Sequence, residues 1–236
     1  MSKIENLIIN GSGSYSGGSY EKVSIRGEGT IVQDVECAAF HVYGTSKAET
    51  NVKADKVKVL GEAKVRGDLE AKDTTVMGTL EIGGRARLEK IKILGQLEAG
   101  ERLTGVTATI KGGLTVNGDV EYETFDSSGG FEIKGLLSAD TIQIGLRYGD
   151  SKAAEIGGER IMVKRKKNSL LPFGKSLGTL TAQVIEGDDI HLENTKADIV
   201  RGNKVLIGPG CEIGLVEYTA DLQLDQSSVV KTKTKR

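Results

Sequence analysis

Glycine recurs at Gly27, Gly44, Gly61, Gly78, Gly95, Gly112 and Gly129, seven times at a spacing of 17 residues. A second series, six residues later, gives Gly67, Gly84, Gly118 and Gly135, with Glu101 filling one gap. Few folds accept such a ruler. Aliphatic residues keep the same step: one column reads Val35, Val52, Leu69, Ala86, Leu103, Val120, Leu137. Another reads Ile25, Val42, Val59, Val76, Ile93, Ile110 and, after Ser127, Ile144; further columns begin at Ala63 and Val65. The residue before each member of the Val59 column is polar: His41, Lys58, Thr75, Lys92, Thr109, Asp126, Gln143. Alternation with period two inside a segment marks a half-buried strand, and a fixed long period between segments marks a stacked repeat.

Runs of about six, six and five residues, separated by glycine-marked corners, make one coil of a triangular, single-stranded parallel β-helix. The fold class expected is therefore all-β, a β-solenoid of about 17 residues per coil. The 17-step departs from the six-residue rhythm of left-handed β-helices, which favours the right-handed form. Glycine is expected at the corners because it accepts positive φ. A single coil buries too little to stand alone, so stability must come from the stack. Only 4% of the residues are aromatic and tryptophan is absent, as a narrow bore requires.

Four regions follow. Residues 1–22 read as a degenerate first coil or cap, with Ile8 in register and the glycine-rich GSGSYSGG behind it. Residues 23–145 form the regular helix. Residues 146–218 continue it, the 17-step returning at Ile190 and Ile207 and at Ile199 and Val216, around a loop at 163–178. Residues 219–236 form a polar, basic tail expected to be disordered.

Composition excludes several functions. The net charge of -1 argues against nucleic acid as a partner. Two cysteines, Cys37 and Cys211, make no disulfide framework. The start MSKIENLIING lacks a signal-peptide pattern, and no apolar run approaches a membrane span, so the cytoplasm is the expected location. His41 and His191 each sit between apolar residues of a strand and should face solvent, with no nucleophile or carboxylate tied to them by spacing. Cys37 lies on a column with Ala54, Ala71 and Leu88 and reads as a small core residue. The fragment SLLPFGKS imitates the end of a phosphate-binding loop, but Ser169 stands where the first glycine belongs. No catalytic, cofactor-binding or metal-ligating set is expected, and no cofactor.

The loop is the one segment with interaction chemistry. Lys164, Arg165, Lys166 and Lys167 precede Leu170, Leu171 and Phe173, a cationic cluster followed by apolar residues. Such a pairing suits an anionic membrane surface; a solvated insertion resting on the helix flank is the alternative.

The stretch RGDLEAKDTTVMGTLEIGGRARLEKIKILGQLEAGERL, with its recurring G-x-L-E units, resembles the bactofilins, polymer-forming cytoskeletal proteins of bacteria. The likeness covers about residues 23–145. It implies a right-handed triangular β-helix that joins end to end into nucleotide-independent filaments, often beneath the cell membrane, and scaffolds cell-shape, cell-wall or motility machinery. Its partners would be further copies of itself, an anionic membrane surface and a paralogous subunit. The chain departs from that pattern in length, in holding only two prolines, and in carrying its membrane candidate internally rather than near the N-terminus. A β-helical acyltransferase or carbohydrate-active enzyme and a monomeric surface-binding module are the competing readings.

Overall fold

The computed structural model describes residues 5–147, 149–165 and 178–236. Every regular element is a β-strand, and all the registered strand pairs are parallel. The protein is a parallel β-solenoid that divides into two units, Met1–Gly118 and Asp119–Arg236.

In the first unit each regular coil is an eight-residue strand followed by a four-residue strand, as in Val52–Val59 and Glu62–Val65, then Leu69–Val76 and Thr79–Ile82. The long strand carries a corner. In Val52–Val59 the residues Val52, Ala54, Val57 and Val59 are buried while Asp55 and Lys56 are both exposed, so the alternation breaks there and the chain turns onto a second face. Ala63 and Val65 supply the third. Six inward side chains per coil match the sequence reading, and the Val35 and Ile25 columns are buried throughout. Ser127, in the Ile144 column, is also fully buried; its hydroxyl donates to the Gly129 carbonyl at 3.2 Å, which satisfies it.

The corner glycines have a different cause from the one expected. None in the Gly44 to Gly112 series has positive φ. A Cβ on Gly61, Gly78, Gly95 or Gly112 would instead sit 2.0 Å from the carbonyl oxygen of the glycine one coil earlier. Stacked corners approach too closely for any side chain.

Polar corners are tied by a ladder of side chains. Asp34 Oδ1 accepts the Asn51 N–H at 3.0 Å, Asn51 Oδ1 accepts the Asp68 N–H at 2.8 Å, and Asp68 Oδ1 accepts the Arg85 N–H at 2.8 Å. Each carbonyl or carboxylate satisfies a backbone donor that the turning chain cannot pair with backbone.

Several expectations change. In the first coil Ile9, not Ile8, pairs with Ile25, so that coil is 16 residues long and Ile8 points outward, 56% exposed. The 17-step does not return where the sequence places it: Leu180–Leu192 and Thr195–Ile207 pair at a step of 15, Ile190 with Val205 and Leu192 with Ile207, and 17 reappears only further on, at Lys204 with Asp221 and Glu212 with Val229. The apparent 17 between Ile190 and Ile207 arises because the two belong to neighbouring columns two residues apart. Ile199 pairs with Leu215 and is half-buried, whereas Val200 and Val216 form the inward pair. Val163, Lys164 and Arg165 belong to the strand Ser151–Arg165, so the expected loop does not begin at 163. Residues 219–236 are not a tail: Glu212–Leu224 continues to 224, and Val229–Lys235 adds a further parallel strand beside it. Thr232, Lys233 and Thr234 alternate too weakly in hydropathy to announce a strand.

Candidate functional site

A solenoid presents two kinds of surface, the backbone edges of its terminal coils and the side-chain faces of its coils. In the first unit Asn6–Ile9 pairs with Lys22–Ile25, and Ser12–Tyr15 with Glu28–Ile31. No strand among the described residues covers the other side of either. Ile9 is the sole buried residue of positions 5–20, so this coil is a thin cover over the bore. The GSGSYSGG stretch lies within it, and the Tyr20 hydroxyl donates to the Ser16 carbonyl at 3.2 Å.

In the second unit Val229–Lys235 pairs on one side with Glu212–Tyr218. Among the described residues its other side carries no strand. Lys231, Lys233 and Lys235 alternate along it, and Val229 is 57% exposed. An ion-pair ladder holds this edge: Arg201 Nε donates to Glu217 Oε2 at 2.6 Å, and Arg236 reaches both Glu217 oxygens at 2.8 Å. The two guanidinium groups hold the Glu217 carboxyl below its ordinary value. Unpaired N–H and C=O groups on an edge strand are a template for another strand. The sequence gives one signal for this edge, the 17-residue spacing from Glu212 to Val229, which the lysine-rich composition hides.

The residues singled out for chemistry are scattered. His41 is half-buried rather than solvent-facing, with both ring nitrogens sealed and unpartnered. Burial lowers its pKa, helped by Lys22, Lys58 and Lys56. Its ring stands edge-on to Tyr43 at 6.4 Å. Cys37 is a buried free thiol whose pKa burial pushes up to about 11, and Cys211 is likewise buried, its Sγ donating to the Leu192 carbonyl at 3.3 Å. Among the described residues neither thiol is hydrogen-bonded to a histidine. His191 lies 3.6 Å from Glu193. Among the described residues no cluster of His, Cys, Asp and Glu is arranged to hold a metal ion.

Of the expected membrane-binding set, Lys164 and Arg165 are placed on the Ser151–Arg165 strand, opposite Gly145 and Leu146. The Arg165 backbone N–H donates to Glu193 Oε2 at 2.9 Å, and its half-exposed guanidinium lies 3.7 Å from the same carboxylate. Lys166, Lys167, Leu170, Leu171 and Phe173 lie outside the described residues, as does SLLPFGKS. No helix among the described residues is long and apolar enough to cross a membrane.

Two curated relatives from Bacillus subtilis are similar over essentially the whole chain. YhbE is 60% identical over 236 residues, covering 100% of both chains. YhbF is 48% identical over 233 residues, 99% of this chain and 98% of its own. Both carry the description of uncharacterized proteins. No protein-family model matches the chain, and no solved structure does.

Proposed function

The chain belongs to the family of YhbE and YhbF, and from that premise we propose that it is a non-enzymatic, bactofilin-like scaffold that self-associates through the open edges of its terminal coils. The observation that carries this reading is the pair of uncovered edges. Asn6–Ile9 and Ser12–Tyr15 on one unit, and Val229–Lys235 on the other, each keep one ladder partner and, among the described residues, have no strand on the opposite side. Each added strand would pair with the backbone groups of that side without any nucleotide, since the bond-forming atoms are all backbone.

If unlike edges join, the contact is heterologous and repeats into a filament; if like edges join, it closes into pairs that alternate. A paralogous subunit with the same coil geometry could enter the same stack, and the presence of two such relatives in one organism supports that extension. The inner face of a cell membrane is the proposed location, supporting cell-shape, cell-wall or motility machinery. Negative-stain microscopy of purified protein without nucleotide tests the reading. Filaments that lengthen with concentration are expected. Single particles at every concentration would overturn it.

A further inference from the structure

Charge on the first unit is sorted by face. The second face of each coil, between the corner at Asp55 and the corner at Leu60, has two outward positions per coil, exposed or half-exposed except at the buried Ser24. Its ladders run Lys22, Ala39, Lys56, Asp73, Lys90, Thr107 and Ser24, His41, Lys58, Thr75, Lys92, Thr109. Five lysines stand there against one aspartate. None of Lys22, Lys56, Lys58, Lys90 or Lys92 makes an ion pair among the described residues. Elsewhere on the unit lysines are neutralised locally: Lys47 by Glu49, Lys53 by Glu36, Lys64 by Glu81 and Lys72 by Asp55. The cations of this face are left for something outside the chain.

The corner beside this face is apolar. Tyr43, Leu60, Met77 and Leu94 stack one per coil, each N–H donating at 2.8 Å to a carbonyl of the coil before. They are 44%, 38%, 41% and 41% exposed, an unusual run of large side chains at a corner. Arg26, with its guanidinium 6.0 Å from the Tyr43 ring centre, precedes the run and exposed Lys111 follows it. At about 4.8 Å per coil the ridge from Arg26 to Lys111 is roughly 24 Å long. The opposite border of the face is mixed, running Glu21, Ala38, Asp55, Lys72, Glu89 and Val106, with Lys72 paired to Asp55 at 2.7 Å.

We propose that this face docks on an anionic lipid bilayer, with the lysines over the headgroups and the Tyr43–Leu94 ridge inserted at the interface. Charge complementarity selects an anionic partner. The ridge selects a bilayer over a nucleic acid, because four aligned aliphatic and aromatic side chains have no counterpart along a phosphate backbone, while a tyrosine beside aliphatic residues suits the headgroup boundary. The docking surface needs neither the residues beyond Arg165 nor edge-to-edge assembly.

The test is co-sedimentation of the full chain with phosphatidylcholine vesicles, with and without phosphatidylglycerol. Binding is expected only when phosphatidylglycerol is present. Each lysine contributes about fivefold to partitioning at low salt, so replacing Lys56, Lys58, Lys90 and Lys92 with glutamine should lower it at least tenfold. Replacing Leu60, Met77 and Leu94 with serine should remove the binding that survives raised salt. Glutamine at the paired Lys53, Lys64 and Lys72 should change nothing, and serine at Lys166 and Lys167 should leave most of the binding in place. The substituted side chains among the described residues are exposed or half-exposed, and unchanged thermal melts check that each variant is folded. Equal binding by the four-lysine variant and the wild type would overturn the proposal. So would wild-type protein that ignores vesicles but retains duplex DNA through these lysines. Sedimentation of the variants without vesicles reports self-association separately, so loss of one property is not mistaken for loss of the other.

Discussion

The two units solve the same packing problem with different coil lengths. From Gly18 with Val35 to Val59 with Val76, the first unit advances by 17 residues at every pairing. The second begins in step, Val120 with Leu137, then pairs Leu137 with Ile156, Ile156 with Ile185, Ile185 with Val200 and Val200 with Val216. Both keep an aliphatic bore. The bore therefore does not fix the step; the corners do. In the first unit a glycine corner stacks on a glycine corner with no room for a Cβ, Gly27 on Gly11 in the 16-residue first coil as in the coils of 17; the second unit stacks Gly187 on Gly158 as closely, so the step follows the number of residues each corner takes. In the second, the strands of 13 residues turn through two residues at Glu193 and Asn194, with Asn194 in the left-handed region at φ 51° and its Nδ2 donating to the Gly178 carbonyl at 2.7 Å. Bulges between Ile133 and Leu136 and between Gly202 and Lys204 absorb the remainder.

The largest expected effect is in the bore, where the two units should respond alike. Val59→Asp and Ile190→Asp each place a lone carboxylate among aliphatic side chains, at a cost of several kcal/mol, and neither variant should show a cooperative thermal transition. Lys58→Asp, one residue away on the outer surface, should melt within a few degrees of wild type. A melt of Val59→Asp no different from that of Lys58→Asp would mean the strands are in another register.

Glycine sites should separate by how closely the neighbouring coil approaches, in either unit. Gly78→Ala pushes a Cβ against the Gly61 carbonyl, 2.0 Å away, and Gly187→Ala in the second unit pushes one against the Gly158 carbonyl, 2.3 Å away; overpacking of that kind costs about 1–3 kcal/mol. Gly157→Ala meets nothing nearer than Leu136 Cδ1 at 3.8 Å and should fall within about 0.5 kcal/mol of wild type in urea titrations. A loss at Gly157 comparable to those at Gly78 and Gly187 would remove the close-approach explanation of these glycines. A smaller effect belongs to the side-chain ladder. Asp68→Ala leaves the Arg85 N–H without its acceptor and should cost about 1 kcal/mol, read as a lower urea midpoint with unchanged slope.

The smallest effect is on acid sensitivity. Glu217 has a depressed pKa in the folded chain, so it stabilises the fold above the ordinary carboxylate value of about 4.3 and that contribution is lost as pH falls through the folded value. Wild-type melting temperature should drop more steeply below that pH than that of Glu217→Gln. Identical acid slopes would show that Arg201 and Arg236 do not act through this carboxylate.

The regular unit was legible because each coil repeats the same small vocabulary: Gly44, Gly61 and Gly78 mark corners, and Val42, Val59 and Val76 mark the bore. The irregular unit hid its step because Ile190, Leu192, Val205 and Ile207 satisfy both a 15- and a 17-residue reading, and only backbone pairing tells them apart. The last strand was missed because Val229–Lys235 is an edge, and an edge strand carries lysine where an interior strand carries valine. Ile8 and Ile9 are adjacent, so a one-residue shift at an irregular first coil is invisible to hydropathy. The lysine face and the Tyr43–Leu94 ridge were present as columns in the sequence, yet only the placement of the second corner at Asp55 and Lys56 shows that those columns are neighbours.

Self-association through the edges is best probed by sedimentation velocity with two edge-blocked variants. Ile8→Pro removes a backbone donor from the Asn6–Ile9 edge, and Lys233→Pro removes one from the free side of the Val229–Lys235 edge, since the Arg236 N–H donates to the Tyr218 carbonyl of the paired strand and alternation turns the Lys233 N–H the other way. Wild-type protein should form species that grow with concentration. If unlike edges meet, each variant alone should remain monomeric and an equimolar mixture should stop at a dimer; if like edges meet, each variant alone should stop at a dimer. Wild-type protein that stays monomeric, or variants that grow as wild type does, would contradict assembly through these strands.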